Sequence, residues 1–279
     1  MFCFNFKNTS FRLQYVFITT ESFSKNTIDD LNLQIQFKTK ILELNVLLIL
    51  AIAIFCGFFI QSLVGFAGSL VAIPILLFVV KLPDAIAMVS IFYLFSSTYM
   101  VYKEWRNIDK DTIVRLTLAS VIGVVLGIIV LAYSKPVVLQ TALGVFILLY
   151  VGYTLLGQKQ VVLGKKTNWT FGMMGGFFSG VFSTGGPLYV ISVKNSVKEA
   201  KTFRATMIGV LALITLIRIP ALSISGVLNL QHVQMSLIVL PVFFLAQFLG
   251  IKFFPKINEV QFKRILLFIL SLSGLALIF

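Results

Sequence analysis

Apolar residues run in blocks of about twenty from Leu44 to Phe279, joined by short polar links, and as helices such blocks cover about 30 Å of hydrocarbon. The blocks read as Leu44–Leu63, Gly68–Val80, Asp84–Tyr102, Thr112–Tyr133, Pro136–Leu156, Trp169–Phe182, Pro187–Val193, Lys201–Ile217, Val233–Phe254 and Phe262–Phe279. Some are too short to span. The short ones fall in equivalent places, each after a Gly-rich break, GFAGS at Gly65 to Ser69 and STGGP at Ser183 to Pro187. Residues 1–43 hold no such block: Arg12, Gln14, Glu21 and Lys25 interrupt them, so no signal-peptide core forms. They are expected to be a poorly ordered or surface-lying N-terminal extension.

The chain resembles itself. A shift of 118 residues pairs Gly57 with Gly175, Phe59 with Phe177, Gly68 with Gly186, Leu70 with Leu188 and Ile73 with Ile191. It also pairs the small residues Ser62 with Gly180 and Ala67 with Gly185, and it aligns the two breaks. The expected architecture is an all-α polytopic membrane protein of two repeats, 44–160 and 161–279.

Composition supports the membrane: 58% of residues are hydrophobic, 12% are charged, and mean hydropathy is +1.00. The formal net charge of +13 would suggest nucleic acid in a soluble protein, yet nearly every Lys and Arg lies in a link between apolar blocks. The charge is topology information. If each broken pair, Leu44–Val80 and Trp169–Val193, crosses once, the basic loops divide between the two sides and no bias survives. If each is a hairpin, the loops Lys103–Arg115, Lys159–Lys166, Lys194–Arg204 and Lys252–Arg264 share one face with 15 of the 23 basic residues. The positive-inside rule selects the hairpins. Each half is then a hairpin plus three crossings, so the second half is inverted relative to the first and both termini lie outside the cytoplasm. Five basic residues in the tail, Lys38 and Lys40 among them, oppose that orientation.

Irregular backbone at membrane depth is costly unless it lines a cavity or is buried in protein, so paired breaks point to a binding site. At the second, Gly185 and Gly186 make a turn and Pro187 suits the first position of a helix. The following half-helix then offers free N–H groups and a dipole of about half a unit charge, which favour an anion. Ser183 and Thr184 add hydroxyls, and the first-half equivalents are Gln61, Gly65, Gly68 and Ser69. Glycines in membrane helices also serve close packing, and Gly172, Gly175 and Gly176 are read that way. Arg204 opens an apolar run and either complements the anion or anchors the helix at the interface. Arg218, before Pro220 at a helix end, is the weaker candidate.

Other chemistry finds no residues. No Asp or Glu lies in the middle of a block, which argues against a carboxylate proton relay or cation site. His232 is the only histidine and is expected at the interface, and Cys3 and Cys56 are far apart, so no metal site or disulfide framework is expected. Without a Ser-His, Cys-His or paired-Asp set inside the blocks, an enzyme is not expected.

The segments GFFIQSLVGFAGSLVAIPIL, GGFFSGVFSTGGPLYVIS and KTFRAT together resemble the sulfite exporter TauE/SafE family of membrane permeases over Leu44 to Phe279. The resemblance implies a transporter of sulfur-containing or other small organic anions. It places the site at Gly65, Gly68 and Ser69 and at Thr184, Gly185, Gly186 and Pro187, with Ala67 where the first motif often has another glycine. The expected partners are a small anion such as sulfite or a sulfonate and the bilayer of the cell membrane, with no nucleic acid and no cofactor; a homo-oligomer is left open. A passive anion channel and a membrane protein without a transport role are the alternatives.

Overall fold

The computed structural model describes residues 44–156, 165–253 and 258–278. The expectation for the N-terminal extension lies outside them. Ten α-helices occur among the described residues: α1 Leu44–Val64, α2 Gly68–Leu76, α3 Leu82–Glu104, α4 Lys110–Tyr133, α5 Pro136–Leu155, α6 Lys165–Phe182, α7 Gly186–Ser196, α8 Ala200–Ile224, α9 Leu230–Phe253 and α10 Glu259–Ala276. A 3-10 turn, Trp105–Asn107, follows α3. Six helices, α1, α3, α4, α5, α8 and α9, are long and apolar enough to cross a membrane.

Local signals set the helix starts. Pro stands in the first turn of α3, α5 and α7, where its missing N–H is no loss. Asp109 caps α4 by accepting from the Thr112 N–H and hydroxyl, at 3.4 and 2.9 Å. Asn229 and His232 cap α9 reciprocally, Asn229 Oδ1 accepting from the His232 N–H (3.1 Å) and His232 Nδ1 from the Asn229 N–H (3.3 Å). Nε2 of His232 then faces Asp84 Oδ1 at 3.2 Å, which ties the starts of α9 and α3. His232 is thus at a helix end as expected, but buried and partnered rather than facing headgroups. His232→Ala is expected to lower the unfolding free energy by about 1 kcal/mol, the scale of a net hydrogen bond, read as a lower melting midpoint in detergent.

Two elements depart from the sequence expectation. The block Trp169–Phe182 begins earlier, as an 18-residue helix from Lys165, while the short elements are α2 and α7, with 9 and 11 residues, the two that follow the breaks as expected. The block ending at Ile217 continues through Pro220 to Ile224, which puts Arg218 inside a helix and not at its end. Proline within a membrane helix is tolerated where neighbouring groups satisfy the freed backbone.

The order of elements repeats. From α1 to α6 the last residue advances by 118, and from α2 to α7 and α3 to α8 the first residue does the same. The step grows to 120 from α4 to α9 and 123 from α5 to α10. Residues Leu47–Phe279 form one compact unit. Within it α3 packs on α8, α4 on both α6 and α8, α3 on α9, and α5 on α10.

The side chains are distributed as lipid requires. Along α4, Val114, Leu118, Ile122, Val125 and Ile129 form an exposed stripe at helical spacing, while Ala119, Ser120, Gly123 and Gly127 face inward. Small residues inside and large ones outside suit a helix packed by backbone approach. At the α4–α6 crossing a β-carbon on Gly123 would strike the Met173 carbonyl, one on Gly176 the Ser120 backbone, and one on Gly180 the Val124 carbonyl. Gly172 abuts Ala119, and Gly175 lies under the Tyr189 ring, as the packing reading of these glycines expects. A cluster of Phe58, Phe92, Tyr93 and Phe243 joins α1, α3 and α9, with ring centroids 5.2 to 5.9 Å apart.

Candidate functional site

The first break follows from how α1 ends. Gly65 (φ +85°) and Ala67 (φ +74°) both take the left-handed conformation, which costs a residue with a β-carbon about 1–2 kcal/mol. Arg204, from α8, covers the turn: a β-carbon on Gly65 would lie 3.1 Å from its Cγ. Its Nε and Nη2 donate to the Ser62 carbonyl at 3.1 and 2.7 Å, and its Nη1 meets Glu104 Oε1 at 3.3 Å. The last-turn carbonyl of α1, which has no intrahelical donor, is thereby capped.

The second break is tighter. Ser183 is left-handed (φ +58°) and its N–H bonds the Ser179 carbonyl at 3.0 Å. Gly185 sits so close to the Gly175 carbonyl and Ser179 Oγ that no β-carbon fits. The N–H groups of Leu188 and Tyr189 turn back to the Gly185 carbonyl (3.1 and 3.2 Å), starting α7 with Pro187 in its first turn.

The two breaks meet. Ser69 Oγ donates to the Ser183 carbonyl at 2.5 Å, across 114 residues of sequence, and the Phe66 ring packs against Gly186, where a β-carbon would be 3.0 Å away. Tyr93 completes the contact: its hydroxyl accepts from the Ser69 N–H at 3.0 Å and lies 3.2 Å from Ser69 Oγ. That oxygen occupies the position at the α2 N-terminus where an anion's oxygen would receive the same donor. Gln61, beside Gly68, donates through Nε2 to Ser96 Oγ (3.1 Å); Gln247 also reaches Ser96 Oγ (2.6 Å) and accepts from Ser62 Oγ (2.7 Å). Gln61, Ser69, Ser183 and Thr184 are each no more than 4% exposed. Three buried polar atoms of this cluster, Gln61 Oε1, Ser183 Oγ and Thr184 Oγ1, have no hydrogen-bond partner, a cost of about 1–3 kcal/mol for each such group.

Of the residues expected from the sequence, Gln61, Gly65, Gly68, Ser69, Ser183, Thr184, Gly185, Gly186 and Pro187 all belong to this joined pair of breaks. Arg204 stands on its flank, with its guanidinium bonds directed to Ser62 and Glu104. Tyr93, Phe66, Ser96 and Gln247 were missed. Gln247 carried a signal, since an amide inside the run LPVFFLAQFLG must face protein; Tyr93 carried none. A groove of about 890 Å³ between α3 and α8, lined by Leu94, Val101, Leu216, Lys103, Arg106 and Lys201, holds none of the break residues. Among the described residues no cluster of His, Cys, Asp and Glu could hold a metal ion.

Spanning helices with apolar outer stripes, enclosing two interrupted helices whose breaks gather polar groups, define a multi-pass integral membrane protein of transporter type. The chain belongs to the sulfite exporter TauE/SafE family, whose model matches residues 49–277. Its members are transporters rather than enzymes. The chain is 24% identical over 217 residues to a protein of Cupriavidus necator described as a probable sulfite/organosulfonate exporter TauE, covering 75% of this chain and 84% of that protein. No solved structure matches the chain.

Proposed function

We propose that the protein is a secondary transporter that moves a small sulfur oxyanion, such as sulfite or an organosulfonate, across the cell membrane by alternating access. The joined breaks are its binding site. The observation that supports this most is the Ser69–Ser183 bond between two helix interruptions that the sequence repeat makes equivalent. A site shared by both repeats is where a rocking motion of one half against the other would expose substrate to each side in turn. The similarity to a relative described as a probable sulfite/organosulfonate exporter supports this substrate class. In this reading residues 44–160 and 161–279 are inverted repeats, the loops with 15 of the 23 basic residues face the cytoplasm, and both termini lie outside it.

The test is uptake of radiolabelled sulfite, methanesulfonate and acetate into proteoliposomes, under pH and sodium gradients, with native protein and Ser69→Ala. Saturable flux of a sulfur oxyanion is expected, reduced roughly tenfold by loss of the hydroxyl that joins the breaks, since that is about the worth of one buried hydrogen bond. Flux that rises linearly with concentration would make the protein a channel. Native proteoliposomes no faster than protein-free vesicles for every anion would sink the transport reading.

A further inference from the structure

Arg218 lies within α8, 2% exposed, in a segment long and apolar enough to span the membrane. A full charge there costs several kcal/mol unless it is paired and hydrogen-bonded. The ion pairs found among the described residues use Asp111, Glu104 and Asp84, with Arg115, Arg204 and His232 as partners. Arg218 takes part in none of them. Its Nη1 donates to the Ser179 carbonyl at 3.0 Å, and its guanidinium carbon stands 5.7 Å from the centre of the Tyr93 ring, within cation–π range. Its Nε and Nη2, both buried, have no hydrogen-bond partner.

Those two atoms are not an arbitrary pair. In a guanidinium the Nε–H and one Nη2–H lie parallel along one planar edge, the fork that fits two oxygens of a carboxylate, sulfonate or phosphate. Here the whole fork is unused while the remaining nitrogen is anchored. Both anchors lead to the breaks. The Ser179 carbonyl that holds Nη1 also receives the Ser183 N–H, and the Tyr93 hydroxyl is bonded to Ser69. Ser183 Oγ and Thr184 Oγ1, in the same break, are buried and unpartnered too.

We infer that Arg218 is the fixed cation of the anion site, presenting its Nε–Nη2 edge to two oxygens of one substrate atom, and that the site selects a monovalent oxyanion. This rests on reading the breaks as the binding site. One guanidinium without a carboxylate partner is neutralised by one negative charge, as an organosulfonate or hydrogen sulfite, the singly charged form of sulfite, supplies. A dianion would leave a net negative charge in hydrocarbon, and a neutral molecule would leave the arginine uncompensated.

The experiment is methanesulfonate uptake into proteoliposomes by native protein, Arg218→Gln and Arg218→Lys, with folding of each checked by size-exclusion profile and melting midpoint. Arg218→Gln is expected to lower kcat/KM about a hundredfold, and Arg218→Lys, which keeps the charge and loses the fork, about tenfold. A second measurement needs only native protein: unlabelled methanesulfonate should inhibit uptake, whereas ethanedisulfonate and the neutral isostere dimethyl sulfone should not. Native-like uptake by well-folded Arg218→Gln, or equal inhibition by the dianion or the neutral isostere, would overturn the assignment and leave the transport reading standing. Native protein that moves no anion would remove both. If neither variant folds, the competition series decides.

Discussion

Gly176→Leu is expected to part α4 from α6 and leave little folded protein, whereas Gly152→Leu should be silent. At Gly176 a β-carbon would meet the carbonyl oxygen, Cα and carbonyl carbon of Ser120, all backbone atoms, so no rotamer change can relieve the clash. The same crossing is braced from the other side by Gly123 and Gly127 against Met173 and Phe177, so a shift of either helix disturbs every contact along the seam. Overpacking a core typically costs 1–3 kcal/mol; here, with backbone on both sides, on the order of 4–5 is expected. At Gly152 nothing lies within 4 Å of the added carbon. Fluorescence-detected size exclusion after solubilisation would read the difference: a sharp native-like peak for Gly152→Leu and an aggregated or absent one for Gly176→Leu. A monodisperse Gly176→Leu with an unchanged melting midpoint would mean that the seam does not hold the fold together.

That seam also marks what could be read from sequence. Length and apolarity placed α4 within two residues of its start and α5 within one of its end, because a span has one physical requirement and the chain states it openly. The breaks were legible for the same reason: glycine clusters in lipid need an explanation, and two of them at one spacing need a shared one. Polar positions inside helices were less legible. Pro220 read as a terminator because in water it would be one, yet packing carries α8 past it and moves Arg218 from a helix end to the interior. Tyr93 is one of eight tyrosines in an aromatic-rich chain, and only the fold brings its hydroxyl to Ser69, so no local pattern distinguishes it. The break residues were identified through backbone geometry, whereas the side chains that complete the cluster come from α3, α8 and α9, which sequence separation conceals.

Arg204 is where the sequence pattern and the geometry part most instructively. Its place in KTFRAT leaves it either a complement to the anion or an anchor at the interface; its nitrogens are bonded to the Ser62 carbonyl and Glu104, and its stem covers Gly65. This is a cap on the interrupted helix. Arg204→Gln is therefore expected to destabilise the protein by about 3–5 kcal/mol, since it leaves Glu104 with a largely buried charge and the end of α1 unsatisfied. Glu104→Gln added to it should recover part of the loss by removing the stranded carboxylate, giving a positive coupling in the double-mutant cycle. The stability cycle would be measured by reversible denaturation in mild detergent, and transport per folded molecule in proteoliposomes. The cap predicts that whatever folds still binds anion with near-native KM, because the unpartnered donors at the breaks are those of Ser183, Thr184 and Arg218. If Arg204→Gln were instead as stable as native protein with KM raised tenfold or more, the guanidinium would have to leave Ser62 during the transport cycle to meet the substrate. The first break would then open by uncapping α1, and the closed arrangement of the breaks would be one state of a gate worked by Arg204.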